Sequence, residues 1–474
     1  MATPSTPQQT LHRQLGLGSA VSLNMLDMVG IGPFVTLPLV VAAMGGPQAF
    51  LGWILGAAIA LCDGLVWAEL GATMPQAGGS YAFLREIYGP ERGGRLASFL
   101  YVWQLCCSAP LSIASGCIGL AQYAAFLFPR LHAPLAAAGP FAHLQGTQLT
   151  AAAACILAIA LLYRNVGAVA RFAWVLWGAM MLAFGIILFA GFTHFHLALV
   201  CTLPAGAFHL NHAFFLSLGA ATLLTTYDYW GYYNVCFLGE EIRNPGRNIP
   251  RAVLISIAAI AGLYLAMNVS VLGAIPWQQI AAGSTGDNQL AVASFMVQHT
   301  IGAVAAHLLA LLIVCAAFAS VFALLLGFSR VPYVAALDGN FFRVFGRLHP
   351  RHGFPHIALL ALGGLATVFC FFSLAHVIMA LVAIRILLQF VMQQVGVIVL
   401  RIRQPERPRP FRIWFYPLPP LLALAGFLFV LIERPKSAVE LRYALILAVV
   451  GTLVFLLRSR LRREWPFQRT KMSA

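Results

Sequence analysis

The stretch Asn24–Thr36, NMLDMVGIGPFVT, lies in the middle of the first long apolar segment of the chain. Gly30 and Gly32 weaken a helix at this point, and Pro33 is suited to the first position of a new one. We therefore predict two half-helices instead of one continuous span. Broken backbone at mid-membrane depth is tolerated only where protein buries it or a cavity hydrates it, because lipid cannot satisfy free N–H and C=O groups. The stretch therefore indicates a ligand site.

The composition is that of a polytopic membrane protein. Of 474 residues, 61% are hydrophobic and 9% are charged, and this length accommodates about a dozen helices of roughly 20 residues. The first apolar segment is too long and unsuitably flanked for a cleavable signal peptide, so we expect it to remain as the first span. The nine cysteines show no CxxC spacing, which favours core packing over disulfides or metal binding.

The net charge of +15 would suit a nucleic-acid-binding protein, but the distribution of the charge does not. With the amino terminus inside, the inner segments carry 23 of the 29 Lys and Arg residues, and the outer loops carry four. Such an excess is typical of cytoplasmic loops. We therefore expect an integral protein of a bacterial inner membrane, with both termini in the cytoplasm and no nucleic-acid partner.

Hydropathy predicts twelve spans, with boundaries good to a few residues. They cover residues 18–44, 49–73, 95–128, 148–163, 169–192, 213–240, 252–275, 302–337, 356–373, 377–400, 414–431 and 441–457.

The sixth segment repeats the interruption of the first. In LLTTYDYWGYYNVCFLGEE, Asp228 and Gly231 lie in mid-span among aromatic residues, where a carboxylate is costly and usually functional. Interrupted segments in matching positions of two halves are typical of inverted-repeat secondary transporters, whose site lies between the broken helices. The predicted units are a cytoplasmic tail (1–16), a first repeat (17–193), a second repeat (194–401), two further spans (402–457) and a basic cytoplasmic tail (458–474).

Four sequence blocks carry a family resemblance. They are GIGPF from Gly30, AELGATMPQAGGSYAFLREIYGP from Ala68, GEEIRNPGRNIPRA from Gly239 and SRVPYVAALDGNF from Ser329. In this order they resemble the amino acid–polyamine–organocation permeases, in particular the L-type and related bacterial amino acid permeases. The resemblance covers spans one to ten. It implies an all-α fold of the leucine-transporter type, with a 5+5 inverted repeat, broken helices 1 and 6, alternating access and no use of ATP.

The start of the second half-helix is the predicted site for a substrate carboxylate, because it offers free N–H groups and the positive end of the helix dipole. The expected donors are Gly32, Phe34 and Val35, beside Gly30 and Ile31. Ile31 replaces the hydroxyl residue common in the family, so we expect the backbone alone to hold the carboxylate. In the alternative interpretation, the two glycines only permit close helix packing.

Around the second break, free carbonyl groups of residues 225–231 would accept the substrate ammonium. Asp228 is either a counter-ion for that ammonium or a cap for the broken helix, and both interpretations stay open. A counter-ion would admit cationic amino acids or polyamines, whereas a cap would favour neutral amino acids. Tyr227, Trp230 and Gly231 complete the predicted pocket.

Carboxylates within spans are the candidates for carrying a coupling proton. We favour Asp27 and Asp228 over Asp63. No span contains lysine, and Arg385 is an intramembrane charge that needs a partner. Span eight lacks an adjacent pair of hydroxyl residues, so proton coupling or exchange is favoured over sodium. The predicted inner gate consists of four charged residues: Glu69, Glu241, Arg247 and Arg330.

The resulting hypothesis is a secondary active transporter that moves amino acids by proton symport or exchange. A polyamine or other organic-amine permease, and a transport-inactive sensor with the same fold, are the alternatives. An enzyme is disfavoured because the sequence has no HExxH, Walker A or GxSxG motif. The expected partners are a small-molecule substrate, membrane lipid and H⁺, and we expect no cofactor and no metal.

Overall fold

The computed structural model describes residues 13, 15–76, 78–133, 144–164, 169–282, 291–350, 354–434 and 437–467. Regular structure within these ranges is helical, apart from one isolated β-bridge between Leu15 and Ile242. Residues 1–12 and 468–474, which belong to the predicted tails, lie outside the described residues.

The described chain forms nineteen α-helices, with short 3₁₀ segments at Pro47–Ala49, Pro129–His132, Gly239–Glu241 and Arg343–Gly346 and π-helical turns at Gly89–Gly93 and Ile386–Phe390. The α-helices are α1 (Leu17–Val29), α2 (Gly32–Met44), α3 (Phe50–Thr73), α4 (Ser80–Ile87), α5 (Gly94–Leu127), α6 (Gly146–Arg164), α7 (Val169–Thr193), α8 (Leu197–Cys201), α9 (His212–Tyr229), α10 (Asn234–Phe237), α11 (Pro245–Ala274), α12 (Trp277–Ala282), α13 (Val292–Thr300), α14 (Ala303–Leu337), α15 (His356–Phe369), α16 (Leu374–Arg385), α17 (Val391–Arg403), α18 (Leu418–Ile432) and α19 (Ser437–Arg462).

Eight helices of the described chain are long and apolar enough to cross a membrane, and α1 with α2 forms a ninth candidate that is bent by 44° at its break. The shorter helices α15 and α18 are also apolar. The expectation of an all-α polytopic membrane protein is therefore confirmed. The twelve spans, the 5+5 repeat and the unit boundaries drawn from it remain predictions.

The first apolar segment is broken where the sequence predicts. Helix α1 ends at Val29, Gly30 has a left-handed φ of 41°, and α2 begins at Gly32. Pro33 is the second residue of α2, where its missing N–H removes no helical hydrogen bond. The local Gly and Pro chemistry is therefore sufficient to account for the break.

The sixth segment is also broken. Helix α9 ends at Tyr229, and α10 begins only at Asn234. Between them, Trp230 is extended, with ψ of 150°, and Gly231 has φ of 121°, a conformation that favours glycine. Both predicted interruptions are therefore present.

Long helices enclose the two breaks. Helix α5 packs along α14, α3 packs along α11, and α2 lies against α9. Glycines permit the close approach of α3 to α9, because a Cβ on Gly52 would lie 3.0 Å from Ala221 and one on Gly56 would lie 2.5 Å from Thr225 Oγ1. Small residues at helix contacts are typical of membrane bundles, in which close packing drives association.

Glu69, near the end of α3, joins that helix to the segment that follows α17. It is 1% exposed and accepts hydrogen bonds from Arg401 Nε at 2.9 Å and from the Ile413 N–H at 2.8 Å. Arg409 Nε lies 3.5 Å from the same carboxylate. The carboxylate is therefore a shared counter-ion for two arginines.

The predicted gate residues are distributed over two separate ion-pair groups. Arg330 lies 3.5 Å from Glu241, as the sequence suggested, whereas Glu69 pairs with Arg401 and Arg409 instead of Arg247 or Arg330. Within the described residues, Arg247 forms no ion pair with either glutamate. The connection after α17 folds back onto α3, and this long-range return brings the unexpected arginines to Glu69.

Replacing Glu69 by glutamine should destabilise the protein by about 3–5 kcal/mol, because two arginines are left without their buried counter-charge. The control is Glu86→Gln, which removes an ion pair with Arg407 at 3.0 Å in which the glutamate is 41% exposed and should cost about 0–1 kcal/mol. Thermal melting of both purified variants in detergent measures the difference. Equal melting temperatures would contradict the assigned role of Glu69.

Candidate functional site

The break between α1 and α2 leaves two backbone donors free. The Phe34 N–H bonds to the Ile31 carbonyl at 3.2 Å and so belongs to the first turn of α2. Within the described residues, the N–H groups of Ile31 and Gly32 have no backbone acceptor. Of the donors expected from the sequence, Gly32 is therefore free and Phe34 is not, and Ile31 is a further free donor.

The second break lies directly against the first. A Cβ on Gly231 would be 2.6 Å from the Met28 nitrogen and 2.7 Å from the Asp27 carbonyl carbon. Since these are backbone atoms, no side chain can be accommodated at Gly231 without moving α1. The two interrupted helices therefore meet at their breaks.

Side chains of other segments form hydrogen bonds with backbone groups that the breaks expose. The Tyr264 hydroxyl, on α11, points at the carbonyl oxygens of Met28 (2.9 Å) and Asp228 (3.2 Å), one from each broken helix. Asn24 donates to the Tyr232 carbonyl at 2.6 Å and accepts from the Val235 N–H at 2.9 Å. Specific hydrogen bonds within the protein therefore stabilise the junction, that is, the place where the two breaks meet.

Asp228 connects the two broken segments through its side chain. Its Oδ2 accepts a hydrogen bond from the Thr36 hydroxyl on α2, and its Oδ1 is buried without a partner among the described residues. A carboxylate has no N–H to offer the carbonyls at the end of α9, and the hydrogen bond that the Asp228 side chain makes is the one with Thr36. Gly32 lies against this carboxylate, since a Cβ there would be 2.4 Å from Oδ1.

A cavity opens between the breaks, with α5, α14 and α16 forming its other walls. It encloses about 50 Å³, enough for a few water molecules, so a larger solute needs movement of the lining side chains. Eight residues that the sequence associated with the substrate or with the proton line it: Asp27, Gly30, Ile31, Gly32, Tyr227, Asp228, Trp230 and Gly231. Phe34 and Val35 do not; the Phe34 ring packs against Tyr123 and Phe184 instead.

Among the described residues, three charged side chains line this cavity: Asp27, Asp228 and Arg385. Asp27 is half-buried. Asp63, by contrast, does not line the cavity and accepts hydrogen bonds from Tyr232 and Gln394. Asp63 therefore anchors Tyr232, a residue of the second break, without lining the cavity.

Arg385 lies at the cavity, which the sequence did not predict. The sequence shows it only as an intramembrane charge that needs a partner. It is 4% exposed and donates to Ser112 Oγ at 3.0 Å, Tyr233 Oη at 3.2 Å and Ser108 Oγ at 3.3 Å. An arginine inside a span was the available sign of a functional role for Arg385. Hydropathy does not predict that α5, α14 and α16 converge on one cavity.

Within the described residues, no group of three or more His, Cys, Asp or Glu side chains could hold a metal ion. The chemistry of the cavity is therefore that of backbone donors, two carboxylates, one guanidinium and several hydroxyls. Such a lining is suited to a small polar solute.

A bundle of apolar helices with a polar cavity between two broken segments defines an integral membrane protein of the transporter class. The profile of the Amino acid permease family matches residues 15–455, and the chain belongs to that family. The resemblance to the amino acid–polyamine–organocation permeases is thereby confirmed. The members of the family are transporters and not enzymes.

Individual relatives match over nearly their whole length. The chain is 27% identical over 439 residues to the serine/threonine exchanger SteT of Bacillus subtilis, covering 90% of this chain and 92% of that protein. It is 26% identical over 460 residues to a methylthioribose transporter of Bacillus subtilis, covering 95% and 94%. It is also 26% identical over 483 residues to the human b(0,+)-type amino acid transporter 1, covering 96% and 90%.

Replacing Tyr264 by phenylalanine should lower stability by about 1–3 kcal/mol, because two carbonyl groups at the breaks lose their buried donor. Tyr443→Phe is the control, since Tyr443 is 66% exposed and its change should be nearly neutral. Thermal melting in detergent compares the two variants. A Tyr264→Phe protein as stable as the control would show that the hydroxyl does not support the junction.

Proposed function

We propose that the chain is a secondary active transporter that moves amino acids by alternating access, with the substrate bound in the cavity between the two breaks. The family supports amino acid transport as a class. Adding α15, α18 and the broken pair α9–α10 to the nine candidate spans gives twelve, consistent with a 5+5 repeat followed by two further spans. The arginine distribution favours cytoplasmic termini in a bacterial inner membrane.

One observation carries this proposal: two free N–H groups adjoin an unpartnered carboxylate oxygen. The N–H groups of Ile31 and Gly32 lie at the positive end of α2, which favours an anion. Oδ1 of Asp228 lies next to Gly32 and is available to a cation. An α-amino acid carries a carboxylate and an ammonium group on one carbon atom, so it complements both features at once.

The charges at the cavity also bear on the rival substrates and on coupling. Arg385 lines the cavity and would repel a polyamine, which disfavours the organic-amine alternative. Asp27 and Asp228 are the groups in position to carry a proton with the substrate, so proton symport or exchange is the proposed coupling. The Glu241–Arg330 ion pair is the proposed inner gate. Glu69 and Arg247, which the sequence placed in the same gate, are not part of this ion pair.

Counterflow in proteoliposomes tests the proposal. Vesicles are loaded with an unlabelled amino acid, and uptake of a trace of the labelled amino acid is followed across a panel of acidic, neutral and basic amino acids. A carrier accumulates label transiently when its own substrate is inside, whereas a channel or a transport-inactive sensor does not. Absence of counterflow with every amino acid in the panel would refute the proposal.

Replacing Gly32 by alanine should reduce counterflow by at least about ten-fold, since the new Cβ displaces the Asp228 carboxylate. The matched control is Gly262→Ala on α11, where a Cβ meets nothing within 4 Å and helix propensity favours alanine. Rates are measured at equal amounts of inserted protein. Equal rates for the two variants would remove Gly32 from the site.

Replacing Asp228 by asparagine should weaken substrate binding by about ten-fold, because a charge-assisted bond to the ammonium is lost. Folding should be retained, since the amide oxygen still accepts from Thr36. Asp338→Asn is the control for loss of a carboxylate; it contacts Arg85 and Tyr81 away from the cavity. Competition against labelled substrate gives the affinities, and an unchanged value for Asp228→Asn would place the ammonium elsewhere.

A further inference from the structure

Arg385 occupies the cavity wall in an arrangement that leaves its guanidinium without a direct ion pair among the described residues. Trp230 and Phe328 flank the guanidinium, with ring centroids 5.5 Å and 5.1 Å from its central carbon. Three of its N–H groups are directed at neutral hydroxyls of Ser108, Ser112 and Tyr233. Aromatic faces and hydroxyls orient the guanidinium, but none of them carries a negative charge.

The carboxylates of the cavity do not complete the pair. Among the described residues, no carboxylate oxygen lies within 4.0 Å of Arg385, and this includes Asp27 and Asp228. Asp228 is engaged with Thr36 instead. A buried charge is normally paired, because an apolar environment strongly disfavours an isolated ion. In a solute cavity, the solute itself is in position to supply the missing anion.

The guanidinium and the α2 terminus are separate positions along the cavity. On α5, Gly119 faces the Ile31 side chain, whereas Ser112 holds Arg385. Seven residues of helix correspond to a rise of about 10 Å. The break and the guanidinium therefore contact different turns of α5, so the cavity offers two positions for anionic groups.

We propose that Arg385 binds a second anionic group of the substrate, so that the transported solute is an acidic amino acid with a carboxylate in its side chain. The α-carboxylate then occupies the N–H groups of Ile31 and Gly32, and the side-chain carboxylate accepts N–H bonds from Arg385. A guanidinium suits this role because its planar N–H groups match a carboxylate in two parallel bonds. This inference rests on the amino acid transport proposed above and specifies the substrate class of the same site.

The test compares acids with their neutral amides, which differ in charge and hardly in shape. Purified protein in proteoliposomes is assayed by counterflow, with L-glutamate against L-glutamine and L-aspartate against L-asparagine as competitors. The acids should compete at concentrations lower by about ten-fold or more. This comparison uses the unaltered protein and so does not depend on the folding of any variant.

Arg385→Gln should abolish the preference, bringing the acid-to-amide ratio close to one, and Arg385→Lys should retain part of it because the charge stays while the planar donor pair is lost. Arg458→Gln is the matched control: Arg458 is 7% exposed on α19 and does not line the cavity, so the ratio should stay at the wild-type value.

The possible failures are distinguishable. If the unaltered protein exchanges amides as readily as acids, the inference is overturned and amino acid transport stands. If the acids are preferred but Arg385→Gln keeps the preference, the assignment to Arg385 is overturned. If no amino acid is exchanged, the proposed function fails, and the inference fails with it.

Discussion

A membrane offers no hydrogen-bond partner to an interrupted helix, and this constraint shapes the centre of the protein. Two segments lose their helical ladders at mid-length, at Gly30 and at Gly231, and each exposes N–H and C=O groups that the hydrocarbon cannot satisfy. The Tyr264 hydroxyl and the Asn24 amide meet several of these groups. The N–H groups that remain free belong to residues that line the cavity, so the break that needs support is also the source of the proposed binding groups.

The position of both breaks could be predicted because their cause is local. Gly30, Gly32 and Pro33 act on their own backbone, and Asp228 is conspicuous in an apolar segment. The free donors were harder to predict. Gly32, Phe34 and Val35 were the expected donors, and the Gly32 N–H is indeed free, but the Phe34 N–H closes the first turn of α2 on the Ile31 carbonyl.

The partners of the buried polar groups could not be predicted, since they depend on packing between distant segments. The sequence grouped Glu69 with Arg247 and Arg330, whereas the return of the chain after α17 pairs it with Arg401 and Arg409. Arg385 was visible as a charge in a span, but its place at the cavity requires α5 and α14 to converge on α16. Sequence patterns therefore show which polar groups are available, but the fold determines which of them form hydrogen bonds or ion pairs with each other.

The shared hydroxyl of Tyr264 has a mechanical consequence. Its single proton is directed at the last turn of α1 and of α9 together, and Gly231 keeps the two backbones in contact. Displacing either helix end alone would stretch bonds that belong to both. We therefore expect the two interrupted helices to shift as one rigid unit. A solute bound between them, as proposed, would then act on both helices at once, and no further residues would be needed to couple their movement.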